Sequence, residues 1–182
     1  MDHHSVIEAT RRWISSIVIG LNLCPFAQRV FNADRIRYVV TEATDETTLL
    51  QNLGDELQAL AATPIENVET TLLIHPRVLH DFLVYNDFLN RGDRLLRRLG
   101  LQDTIQIASF HPAYQFAGTA LDAVENYTNR SPYPMLHLLR EESVSQIASD
   151  PAALLEIPQH NIETLRALGQ EKMVEKLRES LG

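Results

Sequence analysis

The sequence has almost no cysteine and contains no long apolar run. Cys24 is the only cysteine among 182 residues, so no intrachain disulfide can form, and a reducing compartment such as the cytoplasm is expected. No apolar segment approaches the ~20 residues that span a bilayer, so we expect no membrane partner. The apolar residues before Cys24 recur at helical spacing, which predicts a helix of the mature protein and not a targeting segment.

Several ligand-binding patterns are also missing. The chain has neither a G-x-G-x-x-G nor a G-x-x-x-x-G-K loop, so we expect no nucleotide cofactor. It has no H-E-x-x-H or C-x-x-C pair, which leaves a divalent metal as an open alternative without a diagnostic ligand spacing. The net charge of −8 argues against a nucleic-acid partner, because phosphate contacts need a basic surface.

Hydrophobic periodicity predicts helices that alternate with strands. The predicted helices are residues 5–21, 45–62 and 78–99, and the predicted strands are 35–43, 69–76 and 104–112. An irregular loop is expected at 112–133, followed by helices at 134–148, 151–156 and 159–181. We therefore expect a single α/β domain, residues 1–182, with a small, mainly parallel sheet, flanking helices and a helical C-terminus. A ferredoxin-like α+β arrangement is the alternative.

Two histidines stand where predicted strands end. His75 and Pro76 close the second strand, and His111 and Pro112 close the third. Because the carboxyl ends of parallel strands meet at one edge of a sheet, His75 and His111 are expected to lie at a common site. Histidine suits general acid–base catalysis or metal binding near neutral pH. The alternative is that each His-Pro pair only forms a turn, with its imidazole bonded to nearby backbone.

The loop after His111 is rich in polar and aromatic side chains, and long irregular segments in compact domains are usually functional. Arg130 is its only cation and is predicted to anchor an anion, unless it pairs with Glu125 or Asp122. The predicted ligand-binding residues are Tyr114, Asn126, Asn129, Arg130 and Tyr133. Glu125 or Asp122 is the predicted carboxylate partner of the histidines. The candidate ligands for Zn²⁺, Fe²⁺ or Mn²⁺ are His75, His111, Asp122 and Glu125.

Cys24 is followed directly by Pro25, which favours the start of a helix. At the positive end of a helix the pKa of a thiol falls, so Cys24 is a candidate nucleophile with His111 as its base. The alternative is that Cys24 is a small buried hydrophobe among apolar neighbours. His137 stands in the apolar run MLHLLRE and is interpreted as a packed histidine.

Three stretches of the chain resemble a bacterial family. They are GLNLCPFA (20–27), SFHPAYQFAG (109–118) and ENYTNRSPYPMLHLLRE (125–141). With these motifs the chain is similar to the family catalogued as domain of unknown function 1415 over nearly its whole length. The resemblance implies a bacterial protein. It implies no activity and no catalytic residue.

The patterns support three hypotheses on function. The first is a small-molecule enzyme at the carboxyl edge of the sheet, which acts on an anionic substrate by acid–base or metal-assisted catalysis. The second is a Cys24-dependent enzyme, and the third is a non-catalytic ligand-binding or interaction module. The apolar stripe of the last helix indicates core packing or a homodimer face.

Overall fold

A four-stranded mixed sheet lies at the centre of the computed structural model, which describes residues 2–147 and 151–182. The strands are β1 (Ile36–Val40), β2 (Thr70–Ile74), β3 (Ile105–Phe110) and β4 (Met135–Arg140), in the spatial order β1-β2-β4-β3. β1 and β2 are parallel, whereas β4 is antiparallel to both β2 and β3. The strands β1, β2 and β3 therefore run in one direction, with the reversed strand β4 inserted between the last two.

Helices precede, connect and follow the strands. They are α1 (His3–Trp13), which continues as a π-helix (Ile14–Ile19), α2 (Ala27–Asn32), α3 (Glu46–Ala62), α4 (Phe82–Arg98), a 3₁₀ helix (Val124–Thr128), α5 (Glu141–Ile147), α6 (Pro151–Leu168) and α7 (Gln170–Leu181). The carboxylates of Asp2, Asp45 and Asp81 accept first-turn N–H groups and thereby start α1, α3 and α4. Gly100, with a φ of 70°, follows the end of α4 as predicted.

The predicted α/β class, with flanking helices and a helical C-terminus, is confirmed. The helices predicted at 151–156 and 159–181 are instead Pro151–Leu168 and Gln170–Leu181, because the chain stays helical through Pro158 and the break falls at Gly169, which has a φ of 86°. A second predicted element is also wrong. Residues 134–148 were expected to form a helix, whereas residues 135–140 form β4 and the chain becomes helical only at Glu141. The reason is that β4 is a central strand with apolar contacts on both faces. Leu136 and Leu138 pack on one side and Met135 on the other. A strand covered on both faces has no polar alternation, so its pattern resembles that of a buried helix.

Two hydrophobic cores lie on opposite faces of the sheet. The first core packs α3 and α4 against residues such as Leu73 and Leu138. The second packs α1, the π-helix, α6 and α7 against Leu72 and Ile74. Leu165 and Met173 of the C-terminal stripe are fully buried in this second core. Among the helices of residues 2–147 and 151–182, none is long and apolar enough to cross a bilayer.

Candidate functional site

The carboxyl ends of β1, β2 and β3 meet at one edge of the sheet. Ile74 and Phe110, the last residues of β2 and β3, both pair with Met135 of the intervening strand β4. His75 and His111 each follow directly on one of these strands, and both rings contact the ring of Tyr85. The ring centroid of Tyr85 is 5.8 Å from that of His75 and 5.0 Å from that of His111. The topology thus brings these two predicted site residues together.

Both edge histidines are buried and bonded to backbone. The side chain of His75 has no exposed surface, and its Nδ1 lies 3.1 Å from the carbonyl oxygen of Val78, to which it donates. His111 is 1% exposed; its Nδ1 accepts from the Ala113 N–H at 3.0 Å and its Nε2 donates to the Leu79 oxygen at 3.1 Å. Leu79 has a φ of 60°, a left-handed conformation that these contacts help to hold. The two imidazoles therefore stabilise the loop between β2 and α4 by hydrogen bonds to its backbone.

Burial disfavours the protonated form of both imidazoles. It lowers the pKa of His75 to about 4, and it also lowers the pKa of His111. The Nε2 atom of His75 is buried and has no hydrogen-bond partner in the described part of the chain. An open cavity of about 600 Å³ lies beside this loop, between the capped N-termini of α3 and α4, and is lined by Val78 and Leu79. The imidazoles themselves do not line it.

The polar side chains predicted to bind a ligand mostly bind the loop itself. Arg130 donates from Nε to the Tyr114 oxygen at 3.1 Å and from a terminal nitrogen to the Leu121 oxygen at 2.6 Å. Asn126 is fully buried, accepts the Phe116 N–H at 3.0 Å and donates to the Ala120 oxygen at 2.9 Å. Asn129 donates to the Ser109 oxygen at 3.0 Å, across to β3. These three side chains satisfy backbone groups that an irregular loop leaves without partners.

The remaining predicted residues lie around this loop. Tyr114 packs on Phe82 of α4 with ring centroids 5.0 Å apart, and Tyr133 packs against the second core. Glu125 accepts from Arg166 of α6 at 3.1 Å; its own backbone N–H and then this guanidinium lower its pKa. Asp122 is exposed. Within the described ranges, no group of three or more His, Cys, Asp or Glu side chains is placed to hold a metal ion.

A largely apolar cavity of about 280 Å³ lies on the opposite face of the sheet. Its floor is the sheet and its roof is the end of α1, the π-helix and α2. Strand residues in the floor include Thr70, Leu72, Gln106, Ala108, Phe110, His137 and Leu139; the roof includes Trp13, Ile14, Val18, Cys24, Phe26 and Val30. Trp13 is held by donation from its Nε1 to the Arg130 oxygen at 3.1 Å, and its ring meets Phe110 edge to face at 5.4 Å.

The ionisable groups of this cavity are neutral or paired. Burial raises the pKa of the Cys24 thiol, although the N–H groups of Phe26 and Ala27 act in the opposite direction. Burial also lowers the pKa of His137 to about 4. The ring of His137 is partly buried and lines the cavity. Glu69, 1% exposed, is paired with the guanidinium groups of both Arg29 and Arg35.

Each of the three motif stretches contributes to this cavity. Cys24 and Phe26 come from the first stretch, Phe110 from the second, and His137 and Leu139 from the third. The model of the family described as "Protein of unknown function (DUF1415)" matches residues 5–175, which include every residue that lines the cavity. The chain belongs to this family. No curated protein and no solved structure shows significant similarity to this DUF1415 chain.

The structure does not place Cys24 beside His111, the base that the sequence suggested. Cys24 lines the cavity beneath the π-helix, whereas His111 lies with Tyr85 and Phe82 of α4, beside the first core. His137 is the histidine that lines the same cavity as Cys24. A signal for this was present in the sequence: once residues 135–140 are taken as a strand, His137 falls on the same face as Met135 and Leu139.

Proposed function

We propose that this DUF1415 protein binds a small, uncharged and mostly apolar molecule in the cavity lined by Cys24 and His137. The observation that carries the proposal is the cavity itself, about 280 Å³ of mainly apolar space with a few polar groups in its wall. An engineered cavity of about 150 Å³ holds one benzene molecule. The cavity of this chain is nearly twice as large, which suits one aromatic ring with a short substituent or a second small ring.

The electrostatics of the wall favour an uncharged ligand. Cys24 and His137 are both neutral near pH 7, because burial raises the pKa of the thiol and lowers the pKa of the imidazole. The carboxylate of Glu69 already has two guanidinium partners. A charged ligand would have to leave water without gaining an opposite charge, which costs several kcal/mol.

The roof of the cavity is unusual in its backbone. A π-helix of six residues, Ile14–Ile19, carries the lining residues Ile14 and Val18 and directly follows the lining residue Trp13. π-Helices are rare in proteins as a whole, but those that occur are often found at functional sites. This feature supports the choice of this cavity over the open one at the sheet edge.

The two enzyme hypotheses are weaker proposals on this geometry. A Cys24 nucleophile needs a thiolate, and burial raises the pKa of this thiol. An acid–base site at the sheet edge needs accessible imidazoles, whereas His75 and His111 are buried and bonded to backbone. The small-molecule ligand that the sequence also predicts is retained in this proposal, which corresponds to a ligand-binding module.

Titration with toluene tests the proposal, with Trp13 as an internal reporter. Trp13 is the only tryptophan of the chain and lines the cavity. We expect saturable quenching of its fluorescence and a rise in Tm that depends on the toluene concentration. In Ala108→Leu the added atoms occupy the floor of the cavity, so binding should be lost while the protein stays folded.

The matched control is Ala61→Leu, because Ala61 is exposed on α3. This variant should bind toluene as the wild type does. The absence of any saturable signal in the wild type up to the solubility of toluene would reject the proposal. Equal binding by Ala108→Leu would place the ligand elsewhere.

A further inference from the structure

The hydrogen bonds of Thr70 determine which nitrogen of His137 carries the proton. Thr70 Oγ1 lies 2.6 Å from the carbonyl oxygen of Leu138 and 2.7 Å from Nε2 of His137. A carbonyl oxygen can only accept, so the single hydroxyl proton of Thr70 is used on Leu138. The contact to His137 is then a hydrogen bond only if Nε2 carries the ring proton. Nδ1 is left as a bare acceptor.

This acceptor has no protein donor in the described part of the chain. The contact to Thr70 is the hydrogen bond that His137 makes there, and it uses Nε2. The largely apolar wall around His137 offers Nδ1 no donor from the described residues. Nδ1 is a ready acceptor for a donor on a bound molecule.

A second polar group of the cavity is also without a partner. Ser143 of α5 lines the cavity and is 8% exposed, and its hydroxyl oxygen has no hydrogen-bond partner among the described residues. Buried hydroxyl groups are rarely left unbonded, since an unmade hydrogen bond costs about 1–3 kcal/mol. Two unpartnered polar groups in one wall indicate an occupant that is apolar in bulk but carries polar atoms.

We propose that the cavity selects phenols, with the phenolic hydroxyl group donating to Nδ1 of His137. This inference rests on the proposed function and specifies its ligand. The aromatic ring would lie among Trp13, Phe26 and Phe110, which line the same cavity. A phenol is uncharged at pH 7 and still donates a hydrogen bond, whereas a carboxylic acid or an aliphatic amine would enter as an ion.

Three ligands of similar size distinguish the contribution of the hydroxyl donor to affinity from that of the aromatic ring. Phenol donates and accepts, anisole only accepts, and toluene does neither. We expect the wild type to bind phenol roughly tenfold more tightly than anisole, because only phenol can satisfy Nδ1. In His137→Leu the ratio of phenol affinity to anisole affinity should fall to one or below, because the acceptor for the phenol hydroxyl is then absent.

Thr70 is a positioning residue, and its test has two readouts. In Thr70→Val nothing holds the proton on Nε2, so the phenol-to-anisole ratio should fall several-fold. The ¹⁵N shifts of the His137 ring should change from a protonated Nε2 and bare Nδ1 to a mixture of both tautomers. The matched control is Thr71→Val, because Thr71 is buried beside Thr70 and its hydroxyl has no partner among the described residues.

The outcomes separate this inference from the proposed function. If none of the three ligands binds the wild type, the proposed function fails and the inference fails with it. If toluene binds but the phenol-to-anisole ratio is one, or is unchanged in His137→Leu, the inference is overturned and the proposed function stands. An equal loss of selectivity in Thr70→Val and Thr71→Val would overturn the role of Thr70.

Discussion

Acid should destabilise this protein through His75, and the size of the effect follows from its burial. His75 is completely buried, and burial lowers its pKa from the ordinary 6.5 to about 4. Below pH 6.5 the unfolded chain binds a proton at this position that the folded chain does not bind. Stability therefore falls as the pH drops from 6.5 towards 4, and it is unaffected by this group at higher pH.

The two pKa values give the magnitude of the loss. We expect His75 alone to reduce the free energy of unfolding by about 2 kcal/mol at pH 5 and about 3 kcal/mol at pH 4. Most single domains are stable by only about 5–15 kcal/mol, so the effect is large enough to measure. His137, whose pKa is also about 4, adds a further loss in the same direction.

Urea unfolding of wild type and His75→Asn from pH 8 to pH 4.5 isolates the contribution of His75. The asparagine amide can replace Nδ1 as donor to the Val78 oxygen, but it does not titrate. We expect His75→Asn to be less stable at pH 8, because it loses the packing on Tyr85, yet to lose about 2 kcal/mol less than wild type by pH 5. His80→Gln is the control, since His80 is exposed. Parallel pH profiles of wild type and His75→Asn would refute the reasoning.

Two other predictions concern Tyr85 and Cys24. Tyr85→Phe removes a buried hydroxyl that donates to the Met135 oxygen at 2.9 Å and accepts the Phe110 N–H at 3.0 Å, so urea unfolding should show a loss of about 2 kcal/mol. The control is Tyr114→Phe, which should change the free energy of unfolding by less than about 0.5 kcal/mol because the ring is partly exposed. Equal losses of stability in Tyr85→Phe and Tyr114→Phe would contradict the prediction. The Cys24 thiol should react with a disulfide reagent more slowly than a free peptide thiol at pH 7.5, and toluene should slow it further. A reaction faster than the peptide would show that Cys24 is ionised.

Most helices and strands were predictable because local patterns specify them. The strands β1, β2 and β3 lie within the predicted segments, and α4 ends before Gly100 as expected. The change from α1 to a π-helix was not predictable, because both helix types present the same kind of apolar residues. β4 was missed because the central position of a strand in the sheet is a property of the folded chain.

The candidate site shows the same division. Cys24 was recognised as a candidate on its own, but the histidine that lines the same cavity was not. His137 is 113 positions further along the chain, and only the pairing of β4 between β2 and β3 turns its ring towards the roof. Arg130 had two interpretations in sequence, and its bonds to the Tyr114 and Leu121 oxygens depend on the path of the loop.

The sequence by itself determined the α/β class, the position of most elements and the residues that carry chemistry. It could do so because periodicity, caps and residue type act over a few neighbouring positions. The tertiary structure alone decided which of those residues share a cavity, which are buried and which nitrogen of each histidine is bonded. Those properties depend on contacts between segments distant in sequence and on the exclusion of water from the folded interior. Local sequence patterns specify neither of these.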